Sequence, residues 1–431
     1  MRVAVIGTGY VGLVSGACFA HLGAAITCLD IDAAKIGNLK KGVIPIFENG
    51  LEEIVKNAYS KGLLKFSTDI SGEIETADMV FIAVGTPSAK DGSADLTYIF
   101  EAANAIAANA KDGVIVVTKS TVPVGTNDKI SDKIKAGNPS LKFHIASNPE
   151  FLREGNAVKD FLEPDRVVIG AENSETFEKI ATLYRPIDNV KILHTDIRTA
   201  ETIKYTANAY LAMRVAFINE VSDICENLGA DIEMVAKGIG LDSRIGPKFL
   251  QAGPGFGGSC FPKDTLAMQK IAIDANAPSK IVTAVIESNE QRKINMAQKI
   301  IKAAGGVVKN KNIGILGITF KANTDDIRAS SALVIIEELV RAGASITAFD
   351  PEGATHAQKY FADKNINITY ATSAEEVMAT SNIITIITEW NEFKSLNLAT
   401  LAGKTLIDLR NLYNPPEMKL QGINYISIGR K

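Results

Sequence analysis

The sequence predicts an α/β protein: two doubly wound parallel-sheet lobes joined by a long central helix and a helical middle domain. Three observations carry this reading. Short apolar runs alternate with amphipathic stretches over the first half and again over the last third of the 431 residues, as expected for parallel strands linked by helical crossovers. Between these parts, residues 198–228 contain no Gly or Pro, a span longer than an average helix. Finally, the order strand, turn, helix, Gly-Ala, strand, Asp occurs twice, as VAVIGTGYVG…GAAITCLDID and as IGILGITFK…GASITAFDPE, an internal repeat.

In chain order, VAVIG, AITCLD, MVFIAVG, VIVVTKS, FHIASNPE and RVVIG read as strands, each apolar and bounded by Gly, Asp, Pro or Ser. Helical stretches over residues 12–22, 50–61, 98–108 and 127–136 separate most of them. The middle is helical in IEMVAKGIG, in TLAMQKIAIDAN and over 278–304. Strands return as NIGILGI, SITAFD, NITYA, IITIIT and TLIDLR. The expected domains are 1–198, 199–306 and 307–431.

Composition narrows the function. Lys and Arg total 46 against 49 Asp and Glu, a net charge of −3, so no basic field holds a nucleic acid. The four His lie at 21, 144, 194 and 356, with no metal-ligand spacing. The four Cys, at 18, 28, 225 and 260, form no CxxC pair, which argues against zinc and against a disulfide framework. No run of eighteen apolar residues is present, so no membrane span is expected. RVAVIG reads as a structural strand rather than a cleaved leader. A cytoplasmic location is the expectation.

The turn Gly7-Thr8-Gly9-Tyr10-Val11-Gly12 follows a strand and opens a helix, and Asp30 ends the next strand. That context is the dinucleotide fingerprint of a Rossmann-like lobe. Gly7 permits the turn, Gly9 lets the backbone approach a pyrophosphate, and Gly12 lets helix and strand close up. The helix N-terminus favours phosphate charge. Asp30 can accept from an adenosine ribose and would repel a 2′-phosphate, favouring NAD over NADP, with Lys35 nearby.

Further polar groups fall at strand ends, where ligands of open α/β sheets bind: Gly85-Thr86-Pro87, Ser120-Thr121-Val122-Pro123 and the run Asn148 to Gly155. Glu150 and Glu154 are four apart and could share a helical face, one of them acting as a base or orienting water. Lys204 and Asn208 share one face of the long helix, where an ammonium and an amide could hold a developing oxyanion. The richest stretch is Phe249 to Asp264, with four glycines between 253 and 258. Such glycines indicate close backbone approach. Cys260 then precedes a helix that Pro262 helps start, with Lys263 close by. A helix N-terminus and a cation favour thiolate, so Cys260 is the candidate nucleophile, whereas Cys18, Cys28 and Cys225 lie in apolar text. In the C-terminal lobe, Lys321 and Arg328 follow the first strand and could meet phosphate or carboxylate, or else pair with Asp325 and Asp326.

Taken together, GTGYVG, VGTP, STVPVGT, NPEFLREG, GFGGSCFPKD and FKANTDDIRAS resemble the UDP-glucose/GDP-mannose dehydrogenase family over essentially the whole chain. NPEFLREG, with DSRIG before FLQAG, is more similar to the UDP-glucose branch. The resemblance implies a four-electron oxidation of the sugar C6 alcohol to a carboxylate with two NAD used in turn. Cys260 would trap the aldehyde as a thiohemiacetal and carry it to a thioester. The family pattern would have Lys204 and Asn208 stabilise charge on oxygen, and Asp264, Thr121 and Glu150 manage water and protons. It also implies NAD contacts from Val11, Asp30, Lys35, Thr86, Thr121, Glu154, Lys263 and Arg328 beside the glycine turn and Tyr10. UDP-sugar contacts would come from Glu150, Phe151, Leu152, Arg153 and Glu154, from Phe249, Leu250, Gln251, Ala252 and Gly253, and from Gly257 and Lys321. Arg244 would reach the substrate across a subunit interface, in a homodimer or higher oligomer that the long helix suits. Three alternatives are weighed against this: a UDP-N-acetylmannosamine or GDP-mannose oxidation, a single-step dehydrogenase of the 6-phosphogluconate or hydroxyisobutyrate type, and a nucleotide-sugar sensor without turnover.

Overall fold

The computed structural model describes residues 1–89 and 91–430 and divides into two compact units, Met1–Ala207 and Asn208–Lys431. In the first, β1 (Arg2–Ile6), β2 (Ala25–Leu29), β3 (Leu64–Ser67), β4 (Met79–Ile82), β5 (Val114–Thr118), β6 (Phe143–Ser147), β7 (Val167–Ala171) and β8 (Ile192–Thr195) form one sheet in the order β3-β2-β1-β4-β5-β6-β7-β8. Central strands are apolar throughout because both faces are covered. Val3, Val5, Met79, Phe81, Ile115 and Val117 enter one core with the helix Tyr10–His21, while Ala4, Ile6, Val80, Ile82, Val114 and Val116 enter another with the helices Thr97–Asn109 and Thr126–Gly137. The chain order reverses between β1 and β4, a switch point that opens a crevice beyond their carboxyl ends.

The second unit repeats this plan. β9 (Asn312–Leu316), β10 (Ser345–Phe349), β11 (Thr369–Tyr370), β12 (Ile383–Ile386), β13 (Thr405–Asp408) and β14 (Asn424–Ser427) are ordered β11-β10-β9-β12-β13-β14 and all parallel. That order matches the first six strands of the other sheet. The helices Ile232–Gly240, Phe261–Asp274 and Lys280–Ala303 precede this sheet. The long helix is Ile197–Leu228, 32 residues, and the boundary between the units falls inside it.

Two features depart from expectation. β7, and β8 with it, runs antiparallel to β6, although RVVIG reads as one more parallel strand. The helix before β7, Ala157–Leu162, has six residues and reaches only about 9 Å, short of the ~17 Å needed to return along a five-residue strand. The segment after β6 therefore stays at the carboxyl end of the sheet. The edge strands β3, β8 and β14 carry polar residues on a mixed burial pattern, so no apolar run announces them.

A tertiary cap ties the long helix to the first sheet. The helix Thr126–Gly137 begins at Gly125, which has no side chain to cap it. Instead Glu201, almost fully buried, accepts from the amides of Gly125 at 2.6 Å and Asn127 at 3.0 Å and from Asn127 Nδ2 at 2.7 Å. Replacing Glu201 with Ala leaves these buried donors without an acceptor, at about 1–3 kcal/mol each. We expect Glu201→Ala to lower the chemical-denaturation midpoint of the purified protein, read by circular dichroism.

Candidate active site

In the first unit the glycine turn follows β1. Gly7 has φ +101° and Gly9 caps the helix Tyr10–His21 without a side chain, so first-turn amides are open to an anion. A Cβ on Gly12 would strike the Gly7 carbonyl oxygen, which is why no larger residue fits there. Asp30, just after β2, accepts from Thr8 N at 3.0 Å and Thr8 Oγ1 at 2.5 Å, and pairs with Lys35 at 3.0 Å. Burial opposes its charge, but these donors hold the carboxyl down at about 2, so it is an anion at any physiological pH. The cradle and the ionised acceptor fit a dinucleotide without a 2′-phosphate. The Tyr10 hydroxyl turns instead to buried Glu48, and the Gly155 amide donates to both, at 2.9 and 2.8 Å. Thr86 Oγ1 donates to the Thr121 carbonyl at 2.9 Å, linking the loops after β4 and β5.

Lys204 and Glu150 meet in this unit. Nζ lies 2.9 Å from Oε1, with side-chain exposures of 4% and 6%. Burial works to raise the Glu150 carboxyl, yet Lys204, the Leu152 amide and Lys119 keep it below its ordinary range. Glu150 and Glu154 do not share a helical face: residues 148–156 form a loop and a turn. Pro149 interrupts the chain there, and Glu150 Oε2 is engaged by the Leu152 amide at 2.5 Å. Phe151 lies under the Arg166 guanidinium, 3.4 Å from its ring centroid, with Lys204 at 5.4 Å. Arg153 is exposed and grips Asp160.

In the second unit, Cys260 caps the helix Phe261–Asp274, its carbonyl accepting from the Asp264 amide at 2.8 Å. It is partly exposed, while Cys18, Cys28 and Cys225 are buried. Burial pushes the thiols of Cys18 and Cys28 up to about 12. Asp264 is 1% exposed and accepts from Asn208 Nδ2 at 2.6 Å and Lys263 Nζ at 2.6 Å. The Lys263 ammonium is thus directed to this carboxylate.

The glycines before Cys260 serve the chain itself. A Cβ on Gly257 would lie 2.5 Å from the Ala329 carbonyl oxygen, and Gly258, at φ +85°, would put one 2.7 Å from the Phe320 ring. Asn219, Asn289 and Arg292, which the sequence reading missed, stitch the backbone of this loop at Gly253 and Phe256. Phe249 has φ +62°, while Leu250 and Ala252 are buried and Gln251 exposed. Arg328 pairs with Asp326 at 2.7 Å. Lys321 lies 5.3 Å from the Phe320 ring. Arg244, 87% exposed at its side chain, pairs with Asp242 at 2.6 Å. No group of three metal-ligating side chains occurs, and no helix is long and apolar enough to cross a membrane, among the described residues.

Comparison with known proteins decides the family. The UDP-glucose/GDP-mannose dehydrogenase family matches as its NAD binding domain over residues 1–188, its central domain over 198–291 and its UDP binding domain over 314–415. The chain belongs to the UDP-glucose/GDP-mannose dehydrogenase family. Membership makes it an NAD-dependent oxidoreductase with a UDP binding domain. It is 48% identical, over the full length of both chains, to the UDP-glucose 6-dehydrogenase of Rhizobium meliloti, and 44% identical to UDP-glucose 6-dehydrogenase TuaD of Bacillus subtilis, over 100% of this chain and 93% of that one. A UDP-glucose dehydrogenase of Pyrobaculum islandicum matches in structure at TM-score 0.93 and 35% identity, covering 100% and 98% of the two chains.

Asp30 is the ionised acceptor beside the glycine turn of the NAD binding domain. Asp30→Ala removes the ribose acceptor and its negative charge. We expect NAD to bind about tenfold more weakly and the preference over NADP to fall, measured as the ratio of kcat/KM for the two cofactors.

Proposed function

We propose that this chain oxidises the C6 alcohol of UDP-glucose to the carboxylate through covalent intermediates on Cys260. The observation that carries the proposal is the placement of Cys260: the one partly exposed thiol, at a helix N-terminus, one turn from a buried Asp264 that Asn208 and Lys263 both engage. The 44–48% identity to curated UDP-glucose 6-dehydrogenases supports the sugar.

The glycine turn with Val11, Asp30, Lys35, Thr86, Thr121, Glu154, Lys263 and Arg328 would hold NAD, which would supply the hydride acceptor for each of two oxidations. The alcohol loses a hydride from C6 and a proton from oxygen, giving an aldehyde. Cys260 sulfur bonds to C6 and the thiol proton is delivered to oxygen, giving a thiohemiacetal that cannot diffuse away. Loss of a second hydride and the hydroxyl proton leaves a thioester. Water then adds, the C–S bond breaks, and the carboxylate departs with the thiol restored. One sugar, two NAD and one water become one carboxylate, two NADH and three protons. Lys204 and Asn208 stabilise negative charge on the C6 oxygen. Asp264, Glu150 and Thr121 hold the water and its protons, and the Lys204 partner favours the ionised form of Glu150 for this work. The sugar nucleotide is held by residues 150–154 and 249–253 with Gly257 and Lys321.

The same reading assigns 1–198 to NAD, 199–306 to the helical middle and 307–431 to UDP, in a cytoplasmic enzyme whose thiols suit a reducing compartment. Tyr210, Phe217, Ile224 and Leu228 are 54%, 53%, 55% and 78% exposed. The first three repeat every seven residues along one helix, an apolar stripe that suits a second copy of the chain. In such a homodimer Arg244 reaches the partner's substrate.

Three outcomes test this. Purified protein given limiting UDP-glucose and excess NAD should form two NADH per sugar, read at the NADH absorbance band. A ratio of one would favour a single-step dehydrogenase, and binding without NADH a sensor, while faster turnover of UDP-N-acetylmannosamine or GDP-mannose would reassign the sugar. Cys260→Ser should release no carboxylate while still binding UDP-glucose by calorimetry. Phe217→Glu should convert the oligomer to a smaller species by light scattering.

A further inference from the structure

Lys119 directly follows the apolar strand β5 and is 4% exposed. Two neutral oxygens meet its amine: Nζ donates to Asn148 Oδ1 at 3.2 Å and to the Tyr184 hydroxyl at 3.0 Å. Asn148 is itself fixed, its amide donating to the Thr118 carbonyl at 2.9 Å and its Nδ2 to the Val168 carbonyl at 2.8 Å. The Tyr184 hydroxyl donates to the same Asn148 Oδ1. The aromatic rings of Phe161 and Tyr184 wall the amine at 6.0 and 5.7 Å. Two residues beyond Asn148 stands Glu150, bound to Lys204. Both members of that pair act electrostatically on the buried Lys119 amine, and nothing in the reaction above uses Lys119.

We propose that Lys119 is a positioning residue that tunes the proton affinity of Glu150: with Glu150 paired to Lys204 throughout, the ammonium form of Lys119 makes it a weaker base and the amine form a stronger one. This rests on the reading of Glu150 as a proton-handling group. The charges facing Lys119 are Glu150, from the loop after β6, and Lys204, from the long helix. Tyr184, the remaining titratable neighbour, stays neutral, because burial raises its hydroxyl far above the ordinary range. Burial lowers the Lys119 amine to about 7, with Lys204 pushing the same way and Glu150 opposing. The Lys119 charge is in turn one of the groups that depress Glu150. Titration of Lys119 therefore falls at neutral pH, and loss of its proton makes Glu150 the stronger base.

The test is kcat for NADH formation from UDP-glucose, followed across neutral pH in the wild type and in Lys119→Arg, Lys119→Met and Tyr184→Phe. In the wild type, kcat is expected to rise on the order of tenfold as Lys119 deprotonates, with KM for NAD unchanged. Lys119→Arg, permanently charged, should stay at the low acid plateau. Lys119→Met, permanently neutral, should lose the acid limb and hold at low pH the rate that the wild type reaches only at high pH. Tyr184→Phe keeps the ring packing but removes an acceptor from the ammonium, so its limb should move about one to two pH units lower. A wild-type profile in Lys119→Arg, or an unshifted limb in Tyr184→Phe, overturns the proposal even if Lys119→Met fails to fold. A wild type that forms no NADH from UDP-glucose overturns the reading of function, whereas normal turnover with coincident profiles overturns the role of Lys119 alone.

Discussion

The buried pair of Lys204 and Glu150 is the constraint around which the first unit is arranged. Two charges removed from water cost several kcal/mol each, and their attraction offsets this only when geometry is good and the remaining valences are filled. Both conditions hold: the pair is 2.9 Å apart, and the second carboxylate oxygen takes the Leu152 amide. Such a pair contributes little net stability, yet removing either partner would strand an uncompensated charge. The surrounding framework serves it. The loop after β6 is kept at the carboxyl end of the sheet by the antiparallel turn into β7, and the long helix is anchored through Glu201.

The two sheets carry the same device with different outcomes. Asp30 binds the amide and hydroxyl of Thr8, and Asp350 binds the amides of Ile318 and Thr319 at 2.6 and 2.9 Å and the Thr319 hydroxyl at 3.0 Å. In both, a carboxylate ending the second strand of the repeat gathers the donors of the turn after the first. In the second unit, however, the Trp390 indole also points at Thr319 and Asp350, at 3.2 and 3.3 Å, and the glycine-rich turn is absent. Asp350 is therefore saturated by protein donors and buried, whereas Asp30 remains partly open beside a turn with free amides. One repeat keeps the features a dinucleotide needs, and the other has filled the equivalent place with its own side chains, consistent with its match to a UDP binding domain.

The loop before Cys260 shows how a glycine pattern can have two readings. Four glycines in six residues suggest backbone against a ligand, but Gly257 and Gly258 are required first by Ala329 and Phe320 of the same chain. Asn289 holds both the amide and the carbonyl of Phe256, and Arg292 holds the Gly253 carbonyl. This internal lacing sets where the helix N-terminus begins, and hence where the Cys260 sulfur stands. The nucleophile proposed at Cys260 would gain from such rigidity, because its environment is fixed before substrate arrives.

Much of this was written in the sequence. Apolar runs of fixed length determine the inner strands of both sheets, and Gly7, Gly9, Gly12 and Asp30 determine the turn that opens the NAD binding domain, because strand periodicity and close backbone approach are local demands that only certain residues satisfy. The isolation of Cys260 from three apolar cysteines was equally local. The helical face imagined for Glu150 and Glu154, the reversed direction of β7, and the roles of Lys119, Glu201 and Arg292 were not. Each of these depends on which distant group supplies a partner: Asn148 and Tyr184 for Lys119, the Gly125 amide for Glu201, the Gly253 carbonyl for Arg292. Pairing of buried charge acts through space, over separations of up to 76 residues, so only the folded chain decides it.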